Sequence, residues 1–597
     1  MTQQTTLPQS VRCETRPDGA IILRSNHSLG DFAQSTGDWL HKWADATPDA
    51  VFIAERQGGG WREVTYAQAL DAVRKLGAWL LDKGYDEKGP VLVMSGNSVD
   101  HALMALATQY IGMASVPVAE QYSLIPGAHD RLLYVVEKVR PGLLFVDDAK
   151  AYADALALPA LAGYDVLASR PDDAPRAVIP MDQAMQGGQA DVDAAHAAVG
   201  PDTVAKVLFT SGSTSNPKGV VTTHRMMCVN QTQLSTVFPM LRAAPPKILD
   251  WLPWNHVFGG SHNFNMMLAN GGALYIDDGK PTDALFPRSL ENLKMHTGTL
   301  AFNVPVGFAR QVAALKADAD LRRDFFTGLG FTFYAGASLP QEIWQALEQM
   351  AEEVTGQVPL MVSSWGMTET APATLIVHER VNRSGIIGVP MPGVEIKLIP
   401  EDEGRYELRC KGPNIMPGYF EDAEKTAEAF DTEGFLITGD AVKFVNPADP
   451  DRGLAFDGRI SEDFKLTSGT WVRVASLKGK LLTALDGLVG DMVITGQDRA
   501  ELGVLLFPTP PRNGKPGDIV TDPALVETVR ERLQVLAAEA TGSSTRIGRA
   551  LIVAEPPSLA DHEMTAKGNL NMRKVLVRRA DLVARIYDDN DPDVIRV

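Results

Sequence analysis

At 597 residues the chain is too long for a single hydrophobic core, so its length predicts two or more domains. The hydrophobic content of 45% and charged content of 22% are typical of a soluble globular protein. The net charge of −18 argues against non-specific binding to nucleic acid or to an anionic membrane, although a local basic patch can still bind an anionic nucleotide.

The cysteines and the N-terminus indicate the cellular compartment. Cys13, Cys228 and Cys410 are far apart and lack the spacing of a metal site or a redox pair, so we expect reduced thiols. The first six residues are polar, without a basic start or a following apolar stretch, so no secretory signal is expected. No run approaches eighteen apolar residues, and no membrane span is expected. These features predict a cytoplasmic protein.

The first 200 residues predict alternating helices and strands. Residues 1–38 are expected to be irregular, and residues 150–204 to be a connecting region. A helix begins after the capping residue Thr65 and ends at Gly84. The other predicted elements are strands at 90–94, 115–118 and 143–146 and helices at 99–111 and 132–139. Strand–helix–strand spacing of this kind favours parallel pairing.

Residues 210–219 form the first motif, Thr-Ser-Gly-Ser-Thr-Ser-Asn-Pro-Lys-Gly, after a predicted strand at 207–209. Its glycines allow close backbone approach to an anion, its five hydroxyls add donors, and Lys218 adds a positive charge. Such a sequence also occurs in ordinary surface loops, and the order Lys218-Gly219 differs from the common P-loop. The composition predicts a polyphosphate site.

Two later strands end in turns that are rich in functional groups. Residues 248–260 contain a predicted strand followed by Trp-Asn-His-Val-Phe-Gly-Gly, which includes His256. Residues 360–370 contain a strand that leads to Trp365, Thr368 and Glu369. Open α/β sheets commonly bind ligands at such strand ends. The indole can stack on adenine, the hydroxyl can donate to phosphate, and the carboxylate can bind Mg²⁺. Each turn taken alone could be purely structural.

Three further elements complete an ordered series: Asp440 in Ile-Thr-Gly-Asp, Arg459 in Asp-Gly-Arg, and Lys567 in Thr-Ala-Lys-Gly-Asn. Together with the earlier motifs they resemble the adenylate-forming superfamily of acyl- and aryl-CoA synthetases, luciferases and peptide-synthetase adenylation domains. The resemblance covers residues 39–597. It implies an α/β fold, with a large N-terminal domain of layered, mainly parallel sheets and helices (1–458), a hinge (459–463), and a small mobile α+β C-terminal domain (464–597).

The resemblance also implies roles for individual residues. It makes Lys567, His256, Thr368 and Glu369 catalytic, and it assigns Mg²⁺ to Thr214 and Glu369. The residues implied to contact ATP or coenzyme A are Thr210, Ser211, Gly212, Ser213, Thr214, Lys218, Gly336, Ala337, Trp365, Gly366, Asp440, Arg459, Lys465 and Gly469. The residues expected to line the acid pocket near His256 are Phe258, Gly259, Phe302, Val306, Gly336, Trp365 and Met367.

The superfamily chemistry has two half-reactions. A carboxylic acid reacts with Mg·ATP to give an acyl-adenylate and pyrophosphate, and a thiol then displaces AMP. Between these steps the C-terminal domain is expected to rotate about Ser461, where the family usually has an acidic residue or lysine. Rotation would withdraw Lys567 and present the loop 465–472, in which Gly469 leaves room for the pantetheine arm. An ordinary hairpin turn is the alternative for this loop.

The acid is specified less closely than the chemistry. Residues 462–472 and 567–573 look most like feruloyl-CoA synthetases, which activate hydroxycinnamic acids, and 567–573 also resembles adenylation domains of carboxylic acid reductases. The chain has no carrier-type serine motif after Lys567, which favours a CoA ligase. A fatty acyl-CoA ligase, a loader of a separate carrier protein and a catalytically silent nucleotide-binding relative remain as alternatives. The sequence leaves the oligomeric state open, with a homodimer as one alternative.

Overall fold

The computed structural model describes residues 6–210, 216–401, 404–485, 487–558, 561, 563–564 and 570–597. The strands in these residues are β1 Val11–Thr15, β2 Ile21–Ser25, β3 Val51–Gln57, β4 Gly60–Thr65, β5 Val91–Met94, β6 Ser115–Pro117, β7 Leu143–Asp148, β8 Val166–Arg170, β9 Ile179–Pro180, β10 Val204–Thr210, β11 Lys218–Thr223, β12 Lys247–Asp250, β13 Ala273–Ile276, β14 Leu300–Asn303, β15 Phe331–Tyr334, β16 Leu360–Gly366, β17 Ala373–Ile376, β18 Ile386–Pro390, β19 Glu395–Pro400, β20 Arg405–Lys411, β21 Leu436–Phe444, β22 Leu454–Arg459, β23 Phe464–Lys465, β24 Trp471–Val472, β25 Val489–Thr495, β26 Leu502–Pro508, β27 Ile547–Ile552 and β28 Ile595–Arg596.

The α-helices are α1 Thr36–Ala46, α2 Tyr66–Asp82, α3 Val99–Tyr110, α4 Glu120–Leu124, α5 His129–Val139, α6 Ala153–Leu156, α7 Met181–Ala184, α8 Val192–Ala197, α9 His224–Val237, α10 Met240–Ala243, α11 Phe264–Ala269, α12 Phe286–Met295, α13 Pro305–Ala317, α14 Ala319–Phe326, α15 Gln341–Thr355, α16 Ala423–Ala429, α17 Val474–Ala484, α18 Pro523–Ala538, α19 Met572–Arg578 and α20 Ala580–Ile586. Within the described ranges, no helix has the length and apolar character that crossing a membrane requires.

Three sheets form the larger part of the molecule. One has the order β11-β10-β6-β5-β7-β8-β9 and is parallel except for the β10–β11 pair. A smaller sheet has the order β12-β13-β3-β4, with only the β3–β4 pair antiparallel. The apolar strands β5 and β7 are buried throughout their central residues, as expected for parallel strands that are covered on both faces.

The third and largest sheet has the order β1-β2-β19-β20-β21-β22-β18-β17-β16-β15-β14. Its β14–β15–β16 end is parallel, whereas the remaining pairs are antiparallel. The predicted α/β fold class is confirmed, but the expectation of mainly parallel sheets fails for this sheet. Of the connections between β17 and β22, only the β20–β21 connection contains an α-helix among the described residues, α16, and the others are too short for the crossover helices that parallel pairing requires.

Residues from 464 onward surround a separate hydrophobic core. The hairpin β23–β24 is followed by a mixed sheet in the order β25-β26-β27-β28. Buried side chains of this core come from α17, α18 and the sheet, including Leu481, Leu533 and Val504. The mixed sheet and helices agree with the α+β character expected for the smaller C-terminal part of the chain.

Several predicted elements form where local signals placed them. Thr65 caps α2 by accepting a hydrogen bond from the Gln68 amide, and Gly84 follows the helix with a φ of +64°. Residues 1–38 differ from the expectation, because β1 and β2 form a hairpin that pairs with β19 at the edge of the large sheet. Residues 150–204 also differ, since β8 and β9 extend the parallel sheet. Both segments depend on distant partners that local sequence does not reveal.

A buried ion pair fixes the segment that follows β22. Arg405, on β20, has a side chain only 1% exposed, and its guanidinium lies 2.8 Å from the carboxylate of Asp463, which is 2% exposed. The same guanidinium is 2.9 Å from Glu401. Asp463 also accepts a hydrogen bond from the Val474 amide at the start of α17. Arg405 therefore joins the large sheet to the end of the predicted hinge.

We predict that Arg405→Ala destabilises the protein strongly. The substitution removes the closest counter-charge of Asp463 and leaves Arg473, 3.1 Å away, as its ion-pair partner among the described residues, and breaking a buried pair typically costs about 3–5 kcal/mol. A fall in melting temperature on the order of 5 °C or more is expected in a thermal scan. Arg323→Ala is the matched control, because Arg323 pairs with Asp320 and Asp324 while 58% exposed, and exposed pairs contribute little. Equal shifts for the two variants would contradict the prediction.

Candidate active site

The carboxyl ends of three parallel strands meet at one edge of the large sheet. β14, β15 and β16 are adjacent and in register, so the residues that follow them are brought together: Val304 after β14, Gly336 after β15 and Thr368 after β16. The turn after β12 contributes residues 251–258 to the same place. This is the position at which α/β sheets usually bind ligands.

A pocket of about 670 Å³, including its opening to solvent, lies at this edge. Its wall is mainly apolar, as is usual for small-molecule sites. Four predicted site residues line it together: His256, Phe258, Gly336 and Gly366. The other lining residues are Trp251, Leu252, Pro253, Val257, His262, Val304, Phe333, Ala335, Ser364 and Pro372.

The turn that carries His256 is closely packed. The Phe258 amide donates to His256 Nδ1 at 3.2 Å, so a neutral His256 carries its proton on Nε2. A Cβ on Gly259 would lie 2.3 Å from the Leu252 carbonyl oxygen, and one on Gly260 would lie 2.1 Å from the Trp254 oxygen. The two glycines are required because the backbone folds back on itself and holds His256 at the pocket.

Five residues expected in the acid pocket are not part of this lining. Gly259 packs against the backbone of residue 252 instead of the pocket. Phe302 faces a neighbouring cavity, and its ring lies 6.3 Å from that of Phe258. Val306 is 45% exposed near the start of α13, and Met367 does not line the pocket. Trp365, the neighbour of Gly366, is buried and also lies outside the lining. Their contact with the acid remains a prediction, because proximity in sequence does not fix side-chain direction and they are not in the lining of this pocket.

Trp365, Asp440 and Arg459 form one connected group. The Trp365 indole N–H donates to Asp440 Oδ2 at 2.8 Å, and Arg459 Nε lies 3.6 Å from Asp440 Oδ1, an ion-pair distance too long for a hydrogen bond. Among the described residues Oδ1 is buried without a hydrogen-bond partner. Burial raises the pKa of Asp440, while Arg459 and the indole oppose the shift. Oδ1 is thus an acceptor that fits a hydroxyl group such as those of ribose.

Lys218, Tyr419 and Glu369 form a second group. Lys218 Nζ lies 4.8 Å from the centre of the Tyr419 ring, and the Tyr419 hydroxyl donates to Glu369 Oε1 at 2.9 Å. Backbone pairing between β11 and residues 418–420 brings Tyr419 here, including the bond from the Phe420 amide to the Gly219 oxygen at 2.7 Å. Burial raises the pKa of Glu369, while the Tyr419 hydrogen bond and the Lys218 charge oppose the shift.

The second group fits a nucleotide-bound magnesium ion. Glu369 is 6% exposed, and no cluster of three or more potential metal ligands surrounds it in the described part of the chain. Mg²⁺ that accompanies ATP commonly takes only one or two protein carboxylates, since phosphates and water supply its other ligands. A single Glu369 carboxylate matches that arrangement better than a dedicated protein cage.

The remaining predicted nucleotide residues lie along the same edge. Thr210 and Lys218 are opposite each other in the β10–β11 pair at the base of the phosphate motif. Gly336 and Ala337 are exposed after β15, and Thr368 is half-buried in the turn that precedes β17. Gly366 is a necessary glycine, because a Cβ there would lie 1.7 Å from the Pro372 oxygen.

Part of the predicted site falls outside the described residues, namely Ser211, Gly212, Ser213, Thr214 and Lys567. Lys465 and Gly469 belong to the hairpin formed by β23 and β24, in which the Gly469 amide donates to the Leu466 oxygen and Gly469 has a φ of +82°. The loop is thus a hairpin turn with an exposed tip, as the alternative interpretation expected. A hairpin tip is also compatible with the role implied by the resemblance.

Residues on either side of Lys567 are described and firmly held. Met564 and Leu570 form an antiparallel bridge. Glu563, which is fully buried, accepts hydrogen bonds from Arg579 at both carboxylate oxygens, each at 2.7 Å. Burial acts to raise the pKa of Glu563, but the Arg579 hydrogen bonds outweigh it and the pKa is lowered. This pair anchors the base of the segment that carries Lys567.

Two models of known protein families match most of the chain. The model of the AMP-binding enzyme family matches residues 40–420, and that of the AMP-binding enzyme C-terminal domain matches residues 464–591. The chain belongs to the AMP-binding enzyme family. The predicted superfamily is confirmed, and ATP, Mg²⁺ and coenzyme A are the standard co-substrates of its CoA ligases.

Individual relatives are distant and differ in their acids. A (7a-methyl-1,5-dioxo-octahydro-1H-inden-4-yl)propanoyl:CoA ligase of Mycobacterium tuberculosis is 26% identical, over 74% of this chain and 82% of that protein. A probable 4-coumarate–CoA ligase of Dictyostelium discoideum is 26% identical, over 50% of this chain and 52% of that protein. The solved structure of an anthranilate CoA ligase with anthranoyl-AMP has a TM-score of 0.73 at 18% identity, covering 92% of this chain and 98% of that one. The family and the two ligases support an AMP-forming acid–CoA ligase without identifying the acid, and the structural match supports the fold alone.

The sequence motifs missed three residues of this AMP-binding enzyme. Tyr419 is 50 residues from Glu369 and reaches it only through strand pairing. His262 and Ser364 line the pocket. Ser364 could have been found, because it is part of the predicted strand beside Trp365. His262 follows the glycines of the His256 turn, and its direction depends on the helical turn at Phe258–Asn263.

We predict that Tyr419→Phe impairs the Glu369 carboxylate. A hydrogen bond to a charged group is worth about 1.5–3 kcal/mol, so adenylate formation should fall roughly tenfold or more. The Tyr419 hydrogen bond lowers the pKa of Glu369, so this pKa should rise in the variant. When the pH is lowered, the variant should therefore lose activity at a higher pH than wild type does. Pyrophosphate release measured against pH tests this. Tyr406→Phe is the control, because Tyr406 is half-buried in β20, and it should leave the pH profile unchanged. If Tyr419→Phe lost activity at the same acidic pH as wild type, the prediction would be refuted.

Proposed function

We propose that this protein is an AMP-forming acid–CoA ligase that activates an aromatic carboxylic acid, such as ferulate or another hydroxycinnamate. The observation that carries the proposal is the pocket at the end of β14, β15 and β16. Its apolar wall, including Phe258, Phe333 and Val304, suits a flat ring, while His256 and Gly336 are next to the nucleotide residues. The acid is thereby held with its carboxylate toward ATP.

In the first half-reaction a carboxylate oxygen of the acid attacks the α-phosphorus of ATP and pyrophosphate leaves. The protein's contribution is to orient the reactants and to stabilise developing negative charge. Asp440 Oδ1 accepts from ribose, Thr368 donates to the α-phosphate, and Lys218 binds the departing pyrophosphate. Glu369 and Thr214 would hold Mg²⁺, which would supply positive charge to the phosphates. His256, with its proton on Nε2, orients the carboxylate, and Lys567 bridges the carboxylate and the α-phosphate.

In the second half-reaction the thiol sulfur of coenzyme A attacks the acyl carbon of the adenylate. The thiol loses its proton, the carbon–oxygen bond to phosphate breaks, and AMP leaves. The hairpin of β23 and β24 presents Lys465 and Gly469 to this step after the C-terminal domain rotates about residues 459–463. The exposed tip of the hairpin and the left-handed Gly469 suit a surface against which the pantetheine arm lies.

The relatives lend support to an aromatic acid but do not exclude others. One acts on 4-coumarate by its name and another binds anthranoyl-AMP, whereas the M. tuberculosis enzyme acts on a bicyclic propanoate. A fatty acyl chain could also occupy an apolar wall, and a separate carrier protein could replace coenzyme A. The rings of Phe258 and Phe333, 5.6 Å apart in the pocket wall, favour a planar aromatic substrate.

A substrate panel tests the proposal. Cinnamic, benzoic and fatty acids are supplied with ATP and coenzyme A, and both AMP and thioester are quantified. We expect AMP release that depends on coenzyme A and is fastest with hydroxycinnamates. Preference for fatty acids would reject the aromatic class, and absence of thioester with every free acid would reject the CoA ligase.

Lys567 is predicted to act in the first half-reaction only. Lys567→Ala should lower adenylate formation by about 10²–10³, the typical cost of losing one preorganised charge-stabilising contact. Thioester formation from supplied acyl-adenylate should be largely unchanged. Lys218→Ala should cost less, because Lys218 binds the leaving group. Lys480→Ala, an exposed lysine on α17, is the control and should behave as wild type. Equal loss in both half-reactions for Lys567→Ala would reject the assignment.

A further inference from the structure

One polar side chain lies within the apolar wall of the pocket. His262 is 1% exposed and belongs to the single turn of π-helix at Phe258–Asn263. It lines the pocket, and its Nε2 is buried without a hydrogen-bond partner among the described residues. A buried polar atom left without a partner is costly, which makes Nε2 a position where a ligand group is expected.

Neighbouring residues determine which nitrogen of His262 carries the proton. His262 Nδ1 lies 2.9 Å from Asn263 Oδ1, and Asn263 Nδ2 donates to Asp250 Oδ2 at 2.9 Å. Asp250 also accepts the Leu252 amide at 3.2 Å, so its carboxylate acts as an acceptor. The Asn263 amide must therefore present its oxygen to the histidine, and Nδ1 carries the hydrogen. Nε2 is left with a lone pair, and it can accept a hydrogen bond but not donate one.

The surroundings of the imidazole are aromatic and keep it neutral. Its ring centre lies 4.8 Å from that of Phe333, 5.6 Å from Phe258 and 5.7 Å from Phe302. Burial lowers the pKa of His262 to about 4, and Asn263 only partly opposes this shift. Burial raises the pKa of Asp250 to about 7, so above that pH its carboxylate is ionised and the orientation of Asn263 is fixed.

We propose that His262 is a specificity-determining residue whose Nε2 accepts a hydrogen bond from a hydroxyl group on the ring of the acid. This inference rests on the proposed function and narrows it to acids with a ring O–H or a similar donor. A methoxy group or a hydrogen atom at that position cannot donate, and it would leave Nε2 unsatisfied. Sites built to pair with a substrate hydroxyl discriminate strongly against analogues that lack one.

Matched acids test the proposal with the full-length protein. Cinnamate, its 3- and 4-hydroxy derivatives and the corresponding methoxy derivatives are compared by kcat/KM at about pH 8.5, above the pKa of Asp250. We expect wild type to prefer one hydroxylated acid over its methoxy and unsubstituted counterparts by at least tenfold. In His262→Phe the preference should fall below about threefold, with turnover of unsubstituted cinnamate retained.

Phe258→Leu is the matched pocket variant. It changes the shape of the same wall without removing an acceptor, so it should slow all the acids and keep their ratio. An unchanged hydroxyl preference in folded His262→Phe would overturn the proposal, as would equal use of hydroxylated and methoxylated acids by wild type. Equal use of the two acids would mean that Nε2 is hydrogen-bonded to water and not to the acid.

Nuclear magnetic resonance keeps the proposal testable if His262→Phe does not fold. In protein with isotope-labelled histidine, His262→Gln identifies the His262 signals. Without acid, Nε2 should be unprotonated, and it should respond to a hydroxylated acid but not to a methoxylated one. A protonated Nε2 in the free protein at this pH would overturn the proposal. Absence of thioester with every acid would instead reject the proposed function, and the two failures are therefore distinguishable.

Discussion

The parallel pairing of β14, β15 and β16 is the constraint on which the site depends. Each strand is short, and the three are aligned so that their carboxyl ends coincide. β16 has the greatest effect, because consecutive residues of this strand and its turn face different parts of the site. Ser364 and Gly366 line the pocket, Trp365 contacts Asp440, and Glu369 contacts Tyr419. In the proposed function, this one strand sets the position of the acid relative to the nucleotide.

Two buried carboxylates each have one hydrogen-bonding neighbour and a nearby positive charge, Arg459 for Asp440 and Lys218 for Glu369. Asp440 and Glu369 are both nearly inaccessible, and burial raises the pKa of each. The Trp365 indole and the Tyr419 hydroxyl favour the ionised forms by hydrogen bonding to them. Each carboxylate is therefore held in place with incomplete pairing, and a ligand that supplies a hydroxyl or a cation completes it. Burying these two carboxylates is unfavourable for the stability of the fold, but in the proposed function it leaves both ready to bind the nucleotide.

The pocket also contains a buried polar group with incomplete hydrogen bonding, the neutral imidazole of His262. A histidine whose Nδ1 is committed through Asn263 to Asp250 presents only a lone pair at Nε2. In an aromatic wall such an atom discriminates by the presence of a donor, whereas the surrounding rings discriminate by shape and planarity. Under the proposal, the apolar wall would bind many flat acids, and the hydrogen bond to Nε2 would determine which of them is used with the highest kcat/KM.

The sequence by itself determined the family and the α/β class. The candidate nucleotide residues lie in short motifs at strand ends, where spacing along the chain nearly fixes position, as for Trp365 with Glu369. Local signals likewise determined the capped helix after Thr65. Local pattern could not place the β1–β2 hairpin or the antiparallel majority of the large sheet, because both depend on pairing with distant strands. Nor could local pattern decide which of the expected residues face the pocket at the end of β14, β15 and β16, since neighbouring residues on a turn point in different directions. Only the tertiary structure brought Tyr419 to Glu369 and turned His262 into the pocket, because these contacts follow from strand register and helical direction.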